Sequence, residues 1–120
     1  MAKRILLVDD EEDLAAVTEV RLKSAGYEVT VAKTAEDALV FLQKDIPDLI
    51  LLDLLLPGMQ GEEACKRIKA DDRLKNIPVI LFTASLNNVP EVVRQTGADD
   101  FTIKPFVPSE LLKKIKKFIG

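Results

Sequence analysis

The chain is 120 residues long, 48% hydrophobic and 31% charged, which describes one globular domain and excludes a disordered or fibrous one. It has no histidine and one cysteine, Cys65, which excludes Ser-His-Asp and Cys-His nucleophile systems, phosphohistidine carriers, His-ligated zinc, disulfides and Cys-rich metal sites. A formal net charge of −3 argues against direct nucleic-acid binding, and the cysteine usage suits a reducing cytoplasm. No apolar run approaches the ~20 residues of a membrane span. The opening Lys3-Arg4-Ile5-Leu6 resembles the start of a signal peptide, but Asp9 and Asp10 end the apolar stretch short of the roughly 7–15 residues a leader needs.

In chain order, Ile5–Val8 predicts a first buried strand, and Leu14, Val17 and Leu22 mark a loosely patterned first helix that Gly26 ends. Val29–Val31 predicts the second strand. Thr34 and Asp37 then form a capping-box-like start for a helix whose inner face is Ala35, Ala38, Leu39 and Leu42. Pro47 precedes a third strand, Leu49–Leu52, and Gly61, Ala64, Cys65 and Ile68 line the helix after it. Pro78 precedes a fourth strand, Val79–Phe82. Proline disfavours helical angles in the residue before it, so the fourth helix is expected to start at Pro90, to be short, and to end at Gly97. Phe101–Ile103 is the fifth strand. Pro108 opens a last helix with Leu111, Leu112, Ile115, Phe118 and Ile119 on one face and Lys113, Lys114, Lys116 and Lys117 toward its C-terminal end. Continuous apolar runs suit strands buried on both faces, so the pattern predicts an α/β fold, (βα)5, with a doubly wound five-stranded parallel sheet and helices on both faces.

In such a sheet, ligands bind beyond the carboxyl ends of the strands. Asp9 and Asp10 follow the first strand, Asp53 ends the third, Thr83 ends the fourth, and Lys104 follows the fifth. Taken singly, the Asp9–Asp10 pair reads as a solvated turn that caps the first helix, and Thr83 as an ordinary strand-end residue. Asp53, between Leu52 and Leu54, fits a structural ion pair as well as a functional carboxylate. Lys104 lies between Ile103 and Pro105-Phe106, which favours an inward-directed ammonium. Together they form a set with one chemistry. Crowded carboxylates need a counter-ion, and hard oxygen donors without histidine suit Mg²⁺, with Mn²⁺ as a substitute. A carboxylate beside Mg²⁺ is a nucleophile toward phosphorus, and phosphoryl transfer then needs mainly positioning and charge neutralisation.

The segments ILLVDDEE, LILLDLLLPGMQG, PVILFTA and GADDFTIKPF carry a family resemblance in their order, spacing and strand context. The whole chain resembles a response-regulator receiver domain (CheY-like) of bacterial two-component signalling. The resemblance implies strand order 2-1-3-4-5. It also implies that Asp53 is the phosphoacceptor, that Asp10 binds Mg²⁺ directly, that Asp9 completes the acidic pocket through metal-bound water, and that the backbone carbonyl of Leu55 is a further ligand. Thr83 would be the hydroxyl switch, Phe101 the aromatic switch, and Lys104 the ion pair to the phosphoryl group. The Lys104–Pro105 peptide is a cis candidate. Pro57, Gly58 and Gly61 match the family's loop after the phosphoacceptor, where glycines permit positive φ.

The implied function is a phosphorylation-activated switch and not a classical enzyme. A sensor histidine kinase, a histidine phosphotransfer protein or acetyl phosphate would donate to Asp53. The surface formed by helix four, strand five and helix five would then act on a downstream protein or a fused output domain, with a homodimer possible on phosphorylation. Residues 1–120 read as a single receiver domain with no output domain after helix five. Two alternatives use the same residues: a haloacid-dehalogenase-like phosphatase, which would want a second Asp where Leu55 stands, and a binding-only pseudo-receiver. Leu55 and Ser85 also replace polar or acidic groups that orient water in fast family members, so a long-lived aspartyl phosphate is expected. Val107 is a poor N-cap for the last helix.

Overall fold

The computed structural model describes residues 2–83, 89–104 and 107–120. Its elements alternate as β1 (Arg4–Val8), α1 (Glu12–Ser24), β2 (Glu28–Ala32), α2 (Ala35–Lys44), β3 (Leu49–Asp53), α3 (Gly61–Ala70), β4 (Val79–Thr83), α4 (Val89–Thr96), β5 (Asp100–Ile103) and α5 (Pro108–Ile119). The strands pair in parallel in the order β2-β1-β3-β4-β5, as the resemblance implies. Among the described residues, no helix is long and apolar enough to cross a membrane.

The two central strands bury every residue, which is why Leu49–Leu52 and Val79–Phe82 are uninterrupted apolar runs. The edge strand β2 instead alternates exposed and half-buried positions up to its last residue, the buried Ala32. Successive side chains of a strand point to opposite faces, so each central strand feeds two cores. Leu6, Val8, Ile50, Leu52, Val79 and Leu81 pack under α2 and α3, with α4 residues Val92 and Val93 against them. Ile5, Leu7, Leu49, Leu51, Ile80 and Phe82 pack under α1 and α5. Each fully buried Leu or Ile contributes roughly 1.5–3 kcal/mol relative to exposure.

The helices follow their sequence signals with three differences. In α2, the Thr34 hydroxyl accepts the Asp37 N–H at 3.0 Å, so the capping start is formed. In α3, Gly61, Ala64, Cys65 and Ile68 are all buried, and in α5 Leu111 and Ile115 are buried with Pro108 in the first turn. The first difference is in α1, where Ala15, Thr18 and Leu22 face the core and Val17 is 59% exposed. Small residues let this helix lie close to the sheet, and the Thr18 hydroxyl is satisfied by donating to the Leu14 carbonyl at 2.9 Å. The second is in α4, which begins at Val89, one residue before Pro90, and is eight residues long. A proline in the first turn removes no helical hydrogen bond, so one residue can join ahead of it. The third concerns Gly61, whose role becomes clear beside Asp53.

Candidate functional site

The two-residue repeat of the strands builds the site. Ile5 and Leu7 point into the α1/α5 core, so Asp9, next in that series, emerges on the same face at the end of β1. Leu49 and Leu51 bring Asp53 to that face at the end of β3, where it pairs in register with Phe82. On the neighbouring strand Phe101 and Ile103 face away, so Lys104 turns back toward Phe82, with its Nζ 4.9 Å from the ring centroid. The ladder hydrogen bonds continue one residue past the strands: the Asp9 N–H donates to the Ala32 carbonyl at 3.0 Å, and the Lys104 N–H to the Thr83 carbonyl at 2.8 Å. Both ionic side chains are thus carried by backbone that is itself tied down.

Asp9, Asp10 and Asp53 each present an oxygen within 4.8 Å of the others. Asp9 and Asp53 are buried and Asp10 is exposed. Lys104 Nζ donates to Asp53 Oδ2 at 2.8 Å and to Glu11 Oε1 at 2.8 Å, with Asp9 Oδ1 3.6 Å away. Asp53 Oδ1 accepts the Leu55 N–H at 3.0 Å, and Asp9 Oδ1 accepts the Glu11 N–H at 3.0 Å. Burial pushes the Asp9 carboxyl up to about 6; the Glu11 N–H and the Lys104 ammonium oppose this rise, and the charges of Asp53 and Glu11 add to it. Burial alone would lower the Lys104 ammonium, but its bonds to Asp53 and Glu11 leave it raised and charged. One ammonium thus faces three carboxylates, with Asp10 a further acid beside two of them. That excess of hard oxygen donors can hold a divalent cation.

The loop after β3 is held from both ends. A Cβ at Gly61 would sit 1.9 Å from the Asp53 carbonyl oxygen, while the Gly61 N–H donates to the Leu54 carbonyl at 3.1 Å. Gly61 is therefore needed for close approach and not for a positive φ, which belongs to Gly58 at +72°. The Glu36 carboxylate accepts the Met59 N–H at 3.1 Å beside Gly58, and Gln60 Oε1 accepts the Leu56 N–H at 3.4 Å. The Leu55 side chain is 63% exposed, so only its backbone belongs to the site.

Thr83 is buried at the end of β4, on the same edge as the acids but on the opposite face from Asp53. Phe101 is half-buried against the α2/α3/α4 core, two residues before Ile103, which pairs with Thr83. The Lys114 ammonium lies 5.8 Å from the Phe101 ring and bonds the Asp100 carboxylate at 3.2 Å. Ser85 and Pro105, and with Pro105 the cis-peptide candidate, lie outside the described residues. Neither Asp9 nor Asp10 caps α1: its N-cap is Glu11, whose side chain makes no capping bond. Glu11, the further partner of Lys104, is not among the residues that the sequence singles out. The available signal was an acidic run, Asp9 to Glu12, longer than one cap requires.

The response regulator receiver domain family matches residues 5–116. The DNA-binding response regulator MtrA of Mycolicibacterium smegmatis is 38% identical over 117 residues, which is 97% of this chain and 50% of MtrA. The chain thus spans about half the length of the curated relatives it matches. Among solved structures, chemotaxis response regulator CheY4 of Vibrio cholerae superposes with a TM-score of 0.92 at 29% identity, covering 99% of this chain and 100% of that one. The receiver domain of sensor histidine kinase PA1611 from Pseudomonas aeruginosa, with a magnesium ion coordinated in its active site cleft, gives 0.92 at 33% identity, covering 100% and 99%. TrrA of Thermotoga maritima, in complex with Mg²⁺-BeF, gives 0.89 at 33% identity, covering 98% and 99%. With its sheet order, its acidic edge and these relatives, the chain belongs to the response regulator receiver domain family, a signalling module of two-component systems.

Proposed function

We propose that residues 1–120 act as one phosphorylation-dependent receiver domain in which Asp53 accepts a phosphoryl group from a histidine kinase, a histidine phosphotransfer protein or acetyl phosphate. The observation that carries this reading is the Asp53 carboxylate itself. It is almost wholly buried, one oxygen is held by the Leu55 N–H at 3.0 Å, and the other by the Lys104 ammonium at 2.8 Å. A side chain fixed at both oxygens has little orientational entropy left to lose on reaction.

In the transfer, an Asp53 oxygen forms a bond to phosphorus as the donor's P–N bond (phosphohistidine) or P–O bond (acetyl phosphate) breaks. The bonding electron pair leaves with imidazole, which takes a proton from solvent, or with acetate. Lys104, already beside Asp53, donates to one phosphoryl oxygen, and the Thr83 hydroxyl takes another. Asp10, Asp53 and the Leu55 carbonyl would hold Mg²⁺, with Asp9 completing the acidic set and Mn²⁺ able to substitute. The donor set supports this: it is all oxygen, clustered within 4.8 Å, and carries more negative charge than Lys104 offsets. When bound, the ion neutralises charge on the donor's oxygens. Movement of Thr83 toward the phosphoryl group frees space on the face it shares with Phe101. An inward turn of that ring then changes the α4-β5-α5 surface read by a downstream partner.

Intact-mass measurement after incubation with acetyl phosphate and Mg²⁺ tests the reading. One phosphoryl group should be added to the native protein, and none in the presence of EDTA or in Asp53→Asn. Equal labelling of Asp53→Asn would contradict it.

A further inference from the structure

We infer that Glu11 is a positioning residue that, in the unphosphorylated protein, occupies the Lys104 donor which an incoming phosphoryl oxygen takes over. The inference rests on the reading of Asp53 as phosphoacceptor and deepens it.

Two observations carry it. Glu11 stands at the N-cap of α1, where Ser, Asp, Asn or Thr would satisfy free N–H groups, yet its carboxylate makes no capping bond. Instead it reaches across the site to Lys104 Nζ at 2.8 Å, a contact between residues 93 apart in sequence. No capping hydrogen bond therefore accounts for where the carboxylate points, while its contact with Lys104 does.

An ammonium has three hydrogens to give. One goes to Asp53 Oδ2, one to Glu11 Oε1, and Asp9 Oδ1 at 3.6 Å is the next acceptor. Asp53 and Asp9 are buried on tied backbone, whereas the Glu11 side chain is 61% exposed. A phosphoryl group adds roughly −1.5 to −2 charges and three acceptors beside that ammonium. The partner that yields is the one with solvent to turn into. Glu11 thus keeps Lys104 above Asp53 at rest and is expelled on modification, and its negative charge then opposes the phosphoryl group at close range.

The test uses beryllofluoride, which attaches to a carboxylate in the shape of a phosphoryl group. In Mg²⁺ buffer, Glu11→Gln should bind it about two- to five-fold more tightly than the native protein, the range expected of one exposed ion pair. Glu12→Gln, a neighbouring acid paired with Lys33 instead, should change binding by less than half as much. In EDTA, where no metal or anion is bound, the Lys104 ammonium protons should exchange with solvent faster in Glu11→Gln than in the native protein. Unchanged or weaker beryllofluoride binding, an equal effect from Glu12→Gln, or unaltered ammonium exchange would each overturn the inference while leaving Asp53 as acceptor intact. A native protein that takes up no beryllofluoride would remove the acceptor reading and this inference together.

Discussion

Asp9 carries the strain of the acidic site more visibly than any other side chain. Its carboxyl is raised from 3.8 to about 6, chiefly by burial, so the folded protein holds that proton more tightly than the unfolded chain does. The stabilisation is therefore fully present below about pH 4 and is lost as pH rises through about 6. In EDTA, Asp9→Asn should match the native protein at pH 4 and exceed it by about 1–2 kcal/mol at pH 7, because asparagine keeps an acceptor for the Glu11 N–H without the charge. Denaturant titrations at the two pH values check this, and a variant less stable at pH 7 would refute it. Leu55, exposed and without a proton to give or take, cannot activate water against an acyl phosphate. Label on Asp53 should accordingly persist for minutes in Mg²⁺ buffer, and loss within seconds would count against that account. Asp9, Asp53 and Lys104 were legible because each interrupts or ends an apolar run. Glu11 was not, since an acid at the start of a helix already has an ordinary explanation in the helix dipole.

At the scale of elements, the join between β3 and α3 is the least forgiving. Adding a methyl at Gly61 drives it into the Asp53 carbonyl backbone, where nothing flexible can yield. Gly61→Ala should cost about 2–3 kcal/mol. Gly58→Ala should cost about 1 kcal/mol, since the nearest atom to its new methyl is the tip of the Glu36 side chain and the remaining burden is the positive φ. Thermal unfolding of the two variants should rank them in that order, and the reverse would contradict the packing account. Sequence pattern located this turn but not its cause. A glycine chosen for backbone contact looks the same on paper as one chosen for torsion. Likewise the continuous runs of β3 and β4 announced buried strands plainly. The inner face of α1, made of Ala15 and Thr18, gave a weak apolar signal and left Val17 looking more central than it is.

For the whole molecule, strand order was carried by family resemblance, because short apolar runs specify burial and not neighbours. The parallel register then explains why distant residues meet: strands one, three and five end at a common edge, and alternation sends Asp9, Asp53 and Lys104 to one face. Thr83 and Phe101 lie across the sheet from them, and on the proposed function β4 and β5 would carry the change from the acids to the opposite surface. Beryllofluoride should therefore shift the Phe101 ring resonances in the native protein and leave them nearly unmoved in Thr83→Ala. Equal shifts in both would show that the ring responds by another route.

On the proposed function, a phosphoryl group is accepted at residue 53 and nowhere else on the acidic edge. Borohydride reduction of the acetyl-phosphate-treated protein converts an aspartyl phosphate to homoserine, and peptide mass spectrometry then reads its position. The account predicts homoserine at Asp53 alone, dependent on Mg²⁺; homoserine at Asp9 or Asp10, or at no residue despite uptake of phosphate, would contradict it.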